Sequence, residues 1–343
     1  MHKQKGYILF LLFSILSVCS VLIAISFGKV VVYQKVMRQM MQQQQALLIS
    51  ESGVAFIQAL MTPEQEKKEE SDTQKKDQTK QSVVQQTMLK IYPYFNKEKT
   101  ISLTQEHDGI NGSLALFLQS EQGKLNLNSL FDIKNKKFVH QGQPDDRKKI
   151  CTWLFGRIAA ITGQKSLMEP FEQFISNRKT PVYDVTELLS IKEFKDQFAD
   201  AVYVDPSDPQ FNKKIYLTDI FTVCTEQDTI SPWLFSHSWC VILELNPKQN
   251  LETEELKKII EKFKDSAKWD SDWNLFLQPF YNKEYKDLAQ DIKSILTTQY
   301  EANIFSLLLK AKIGETNSSI FTIVKVNSKQ HLMRFDTIKT SQI

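Results

Sequence analysis

Cysteine is scarce, with four in 343 residues. A dense disulfide framework is therefore excluded. Cys19 lies in a long apolar run, which leaves Cys151, Cys224 and Cys240 elsewhere. An odd number in an oxidising space leaves at least one thiol unbridged. Cys224 and Cys240 are the nearest candidates for a disulfide, and three buried thiols fit the same composition. Glycine is also sparse, at 10 residues against 22 phenylalanines, which suits a packed core better than disorder. A net charge of +3 is too small to argue for nucleic acid. There is no P-loop, HExxH, GxSxG or Rossmann glycine pattern. Cys224, His237 and Cys240 have no CxxC or HxxxH spacing and no fourth zinc ligand. A Cys–His nucleophile pair is formally available among them, which keeps an enzyme reading open. His237 stands in PWLFSHSWC, however, where Trp233, Phe235 and Trp239 read as core aromatics.

What is present begins at the N-terminus. His2, Lys3 and Lys5 precede Gly6, and from Tyr7 to Phe27 no charge occurs. As a helix rising about 1.5 Å per residue, this run spans the roughly 30 Å hydrocarbon core of a bilayer. It is longer than the roughly 7–15 apolar residues of a secretory signal, and no A-x-A pattern ends it. A lipoprotein reading at Leu16-Ser17-Val18-Cys19 meets a valine where a small residue is wanted, and the apolar run continues past Cys19. Lys3 and Lys5 place the short N-terminus in the cytoplasm, with the rest of the chain outside. A plain single-pass anchor accounts for these features.

The helical composition does not stop at Phe27. Val31 to Met61 has no proline, one glycine, and abundant Gln, Met, Leu and Ala. A helix from Tyr7 to Met61 would be about 80 Å long, half in the membrane and half outside. Met40, Leu47, Val54 and Ile57 are expected to pack its exposed half on a sheet. Thr62-Pro63 ends it. Glu64 to Ser82 has charges of both signs and no apolar residue, which predicts a disordered loop. Alternating segments at Ile101–Thr104 and Leu114–Leu118 predict strands, with a tight turn at Asn111-Gly112. Helices are expected at Arg147–Thr162, Met168–Ser176, Val185–Phe198, Glu252–Ser266 and Glu284–Tyr300, with Asp184 and Glu187 as an N-cap arrangement. From Ile304 onward, three strands of an antiparallel meander are expected, with one apolar and one largely wet face.

A short basic leader, Gly6, then Tyr7 opening a long apolar helix resembles a type IV prepilin or pseudopilin. Most members of that superfamily carry a glutamate five residues into the mature chain, where this sequence has Leu11. The order of long helix, strands, helical block and strands, with SEQGKLNLNSLFD at Ser120–Asp132 and DVTELLSIKEF at Asp184–Phe194, resembles the K-type minor pseudopilin of type II secretion systems. That family also lacks the glutamate. The resemblance implies an α+β fold, a transmembrane helix packing on an antiparallel sheet that carries a large helical insertion. The segments are a leader (1–6), the helix (7–61), the charged loop (62–82), the first part of the sheet domain (83–143), the insertion (144–302) and the closing strands (303–343). It implies peptidase cleavage between Gly6 and Tyr7, N-methylation of Tyr7, and a non-enzymatic structural role at the tip of a periplasmic pseudopilus that exports protein. Gly123, Asn126 and Asn128 would form a structural turn, with Gly123 allowing the reversal and Asn128 tying down backbone. Partners would be other minor pseudopilins, the major pseudopilin, the inner-membrane secretion platform and membrane lipid, with no nucleic acid. The location would be the inner membrane, with the C-terminal domain in the periplasm. Calcium is common in the family's insertion, but the acidic Asp-Trp-x-Asp segment is missing here, and FEQFISNRK stands roughly in its place. The paired carboxylates Asp205 with Asp208 and Asp270 with Asp272 are the calcium candidates, and neither pair fits an EF-hand loop. The alternative is an unrelated single-pass envelope scaffold or binding protein.

Overall fold

The computed structural model describes residues 3–61, 92–142, 145–225, 227–247, 273–297, 303–329 and 332–342. One unbroken helix, α1 (Lys3–Met61), opens the chain and passes through Gly28 as helix. At about 1.5 Å per residue it is close to 90 Å long. The side chains described from Tyr7 to Met41 are all exposed.

Among the described residues the sheet has five strands: β1 (Glu98–Leu103), β2 (Gly112–Ser120), β5 (Ile304–Ile313), β6 (Thr316–Lys329) and β7 (Leu332–Gln342). Their order is β1-β2-β5-β6-β7 and every pairing is antiparallel. The expected single sheet is therefore interrupted in sequence and continuous in space. Gly112 pairs with Ile313 and Ser120 with Phe305, so β2 and β5 lie side by side although the helical block separates them in the chain. The turn before β2 differs from expectation. Asn111-Gly112 does not carry it; a short helical turn at Gln105–Asp108 and Gly109 at φ +70° do. Asn111 Oδ1 accepts the Gln105 amide at 2.9 Å.

The second half of α1 lies on this sheet. Ala46, Ser50 and Ile57 are buried, Leu47, Ile49 and Val54 half-buried. A Cβ on Gly53 would lie 3.0 Å from Leu309 and 3.1 Å from Leu114, so the small residue admits the close approach of helix and sheet. Burying a side chain such as Ile57 is worth roughly 1.5–3 kcal/mol. Met40, expected in this contact, is 56% exposed. It projects away from the side of α1 that Ala46, Ser50 and Ile57 turn to the sheet, and the contact begins with Gln42, which meets Gly314 and Thr316 at the β5–β6 turn.

These contacts fix direction. Gln42 meets Gly314 and Gly53 meets Leu309, so α1 and β5 run antiparallel. The chain leaves the sheet after Ser120 and returns at Ile304. Both points lie at the end of the sheet farthest from Tyr7. The helical block thus sits at the end away from the apolar run Tyr7–Phe27.

Within it, α2 (Arg147–Thr162) begins at the Asp146 cap and ends at Gly163, φ +70°. Phe155 of α2 stacks among Phe171 of α3 (Met168–Asn177), Phe194 of α4 (Lys192–Phe198) and Phe221 of the two-residue strand β4 (Phe221–Thr222). The expected helix Val185–Phe198 is broken. Val185–Ser190 is a 3₁₀ turn with an Asp184–Glu187 capping box, and extended Ile191 separates it from α4. The expected Glu284–Tyr300 helix is two short pieces, Tyr285–Asp287 and Gln290–Lys293, where described. The meander's wet face is also narrower than expected. Ser306 and Leu308 are buried, Lys310 half-buried, and Lys312 exposed. The helical block supplies partners for this face at Lys124 and Asp205. The expected loop at 62–82, the helix Glu252–Ser266 and the Asp270–Asp272 pair lie outside the described residues.

Candidate functional site

Two features stand out: the uncovered half of α1 and a buried polar joint where sheet and helical block meet. The joint is built from residues 119–128. Glu121 and Lys124 are almost wholly buried, and their side chains pair at 2.5 Å. Lys124 Nζ also donates to Ser306 Oγ on β5 at 3.0 Å, and Thr222 Oγ1 on β4 donates to Glu121 Oε2. Both charges are thereby held by neighbours from the sheet and from the block. Beside them, fully buried Asp219 accepts from Gln119 Nε2 and from the Ser238 amide.

Gly123 does not sit at positive φ, so it is not needed to reverse the chain. Its role is steric: a Cβ there would lie 1.6 Å from the Leu234 carbonyl oxygen. Next to it the Gln122 carbonyl accepts the Ser231 amide at 2.9 Å. Strand β3 (Leu125–Asn126) then pairs in parallel with β4. Asn126 Nδ2 donates to the Thr225 carbonyl at 2.6 Å, and Asn126 Oδ1 accepts the Asn128 amide at 3.0 Å. Asn128 holds Val182 from both sides, donating to its carbonyl at 2.9 Å and accepting its amide at 2.8 Å. The hydrogen bonds of Asn126 and Asn128 follow the residue types, since an amide side chain satisfies a backbone donor and acceptor together. The buried pair of Glu121 and Lys124 was not read from the sequence. Two charged residues three apart in a polar stretch ordinarily signal solvent.

The cysteine and carboxylate candidates fall elsewhere. Cys224 and Cys240, the candidate disulfide pair, are not joined. The fold separates their environments. Cys240, on α5 (His237–Leu243), packs in the main core, whereas Cys224 packs against Ile304, Phe321 and Ile323. Burial pushes the Cys151 thiol up to about 12 and also raises that of Cys240. Neither is an activated thiolate. His237 stacks on Phe211 at 3.9 Å, and its Nε2 lies 2.7 Å from the Phe211 carbonyl oxygen. It lines a groove of about 1,020 Å³ together with Cys240, while Cys224 lines a different pocket of about 190 Å³. The Cys224–His237–Cys240 set is therefore not assembled, and no metal-holding group of three or more such residues occurs among the described residues.

Asp205 and Asp208 are engaged by lysines. Asp205 pairs with Lys310 of β5 and accepts from Ser207 Oγ at 2.6 Å. Burial opposes ionisation of Asp205, but the Lys310 and Ser207 bonds hold its carboxyl below the usual range. Asp208 pairs with Lys214 at 2.7 Å, which lowers its pKa also. Asp205 thus ties the block to the sheet, whereas the Asp208–Lys214 pair lies within the block.

Gly6 and Tyr7 lie within α1, and Leu11 is exposed on it. The helix is long and apolar enough to cross a membrane, and its apolar window is not buried within the protein. No family model matches the chain, and no curated protein matches it. Among solved structures, a chain in the crystal structure of the GspK-GspI-GspJ complex from the enterotoxigenic Escherichia coli type 2 secretion system is similar to it, with TM-score 0.46 and 14% identity, covering 89% of this chain and 98% of that chain.

Proposed function

We propose that this chain is a minor pseudopilin: a membrane-inserted subunit, processed after Gly6, that sits at the tip of a type II secretion pseudopilus and helps to start its assembly. The observation that carries the reading is the division of labour along α1. One continuous helix is bare and apolar over its first half and packs on a five-stranded antiparallel sheet over its second. That is the architecture of a subunit which stores its helix in a membrane and later contributes it to a filament. The tip position is supported by two further features. The helical block leaves the sheet at the end farthest from the membrane run, where it would obstruct a subunit stacked above. Leu11 stands where a filament-body subunit would present a carboxylate to the amino terminus of its upper neighbour, and a tip subunit has no such neighbour. The partners are then other minor pseudopilins, the major pseudopilin and the secretion platform, and the domain beyond α1 lies in the periplasm. Calcium is not required by any step of this role.

Leu11→Glu tests the position. At mid-bilayer an unpaired acidic residue costs roughly 2.5–3.5 kcal/mol on insertion scales, and near the helix end, as here, less. The variant should co-purify with the minor pseudopilin partners no better than wild type and should support no more secretion. If Leu11→Glu assembles clearly better than wild type, or is incorporated along the whole filament, the tip position is wrong.

A further inference from the structure

The apolar part of α1 does not end at Phe27. Val30, Val31 and Val32 follow, all exposed, and Lys29 is the one charge between Tyr7 and Tyr33. A lone lysine near the end of a span reaches water with its long side chain, so it does not close the span. Tyrosine is favoured where lipid tails give way to headgroups. Tyr7 and Tyr33 stand about 39 Å apart along the helix, close to the roughly 40–45 Å of a whole bilayer with its headgroup layers. A bilayer centred midway, at Ser20, has its roughly 30 Å apolar core from Phe10 to Val30. Lys29 then lies at the margin of that core. Lys35 lies about 3 Å beyond Tyr33, at the outer face of the headgroups, and Arg38 about 4.5 Å further. Lys35 and Arg38 are about 60° apart around the axis, so one side of the helix carries both. Lys29, Lys35 and Arg38 are all exposed, and among the described residues none of them has an ion pair. No acidic residue occurs from Tyr7 to Ser50, so α1 itself offers them no counter-charge.

We infer that Lys29, Lys35 and Arg38 form a collar that binds anionic phospholipid headgroups. The occupant is lipid rather than an acidic protein because of where the bases stand. They continue the candidate membrane span without a break in the helix, at the level where lipid phosphates lie. The sheet is first met only at Gln42, beyond all three, which leaves them open to the membrane surface. Drawing α1 out of the bilayer would break every one of these contacts, so anionic lipid holds the subunit in place. The inference rests on the membrane-anchored helix of the reading above, but not on processing at Gly6 or on the tip position.

The test is local photo-crosslinking in the full chain. A benzophenone amino acid replaces Gln34 or, separately, Gln45; the two positions face the same side of α1, about 16.5 Å apart along it. Each protein is reconstituted in vesicles of equal parts phosphatidylglycerol and phosphatidylcholine and irradiated, and its adducts are identified by mass spectrometry. Position 34 should capture phosphatidylglycerol about fivefold over phosphatidylcholine, the ratio that one basic residue near the surface is worth. Position 45 should capture no lipid. Lys35→Gln with Arg38→Gln should keep the lipid adducts at position 34 but bring the two lipids close to equal. Equal capture without those substitutions would overturn the inference, as would a preference that survives them. A crosslink at position 34 to a second protein chain in place of lipid would also overturn it. Equal capture leaves the membrane-anchored reading standing and removes only the collar, whereas no lipid at either position counts against both.

Discussion

Lys124→Met, made alone, should lower the stability of the sheet and helical block by about 3–5 kcal/mol, because it strands the buried Glu121 carboxylate without its cation. Desolvation makes the loss large. The Glu121 and Lys124 side chains are 3% and 0% exposed, so water cannot replace the missing partner. Ser306 loses its contact with the ammonium as well, and Thr222 is left donating to an uncompensated charge. Joining Glu121→Leu to Lys124→Met should restore most of the loss, since apolar replacement of a whole buried pair is often neutral or stabilising. Urea unfolding of the detergent-solubilised chain, followed by tryptophan fluorescence, reads both variants. A single variant within about 1 kcal/mol of wild type would mean that the pair is not a buried electrostatic joint.

Gly123→Val should be still less tolerated. Its Cβ would overlap the Leu234 carbonyl oxygen, which is backbone and cannot swing aside as a side chain can. Either the joint opens, losing the β3–β4 pairing and the Ser231–Gln122 bond, or the chain fails to fold. A loss above about 4 kcal/mol places it among the exceptional single substitutions. Gly156→Ala is the matching control. That glycine lies inside α2 with nothing within 4 Å of an added Cβ. There alanine should stabilise by about 0.8–1 kcal/mol through helix propensity. The same urea titration separates the two, and equal effects at both positions would contradict the steric role given to Gly123.

The long helix was readable because one physical requirement, an unbroken run of apolar residues and then good helix formers, extends to Thr62-Pro63. The strands flanking the helical block were readable from alternation at Leu114–Leu118 and Phe305–Ile313, and α2 and α3 lie where helices were expected at Arg147–Thr162 and Met168–Ser176. Other features depend on contacts that no local pattern records. Ser306 and Leu308 were assigned to a wet face, and they are buried because the block covers that face. Met40 was expected in the buried face, yet it projects well away from the side of α1 that Ala46, Ser50, Gly53 and Ile57 turn to the sheet. Glu121 and Lys124 look like surface charges until Thr222 and Ser306, each far away in sequence, close around them. The Cys224–Cys240 pairing rested on sequence proximity, which a chain turning through α5 does not preserve. Gly123 was noticed for a turn, whereas its reason is the approach of another backbone.

The measurement that bears most directly on the account is intact-mass and N-terminal peptide mass spectrometry of the protein extracted from membranes of cells with an active prepilin peptidase. The account predicts a chain that starts at Tyr7, N-methylated, with Met1 to Gly6 removed. A chain still beginning at Met1 under those conditions would contradict it, leaving a tethered domain of similar shape that is not a pilin-type subunit.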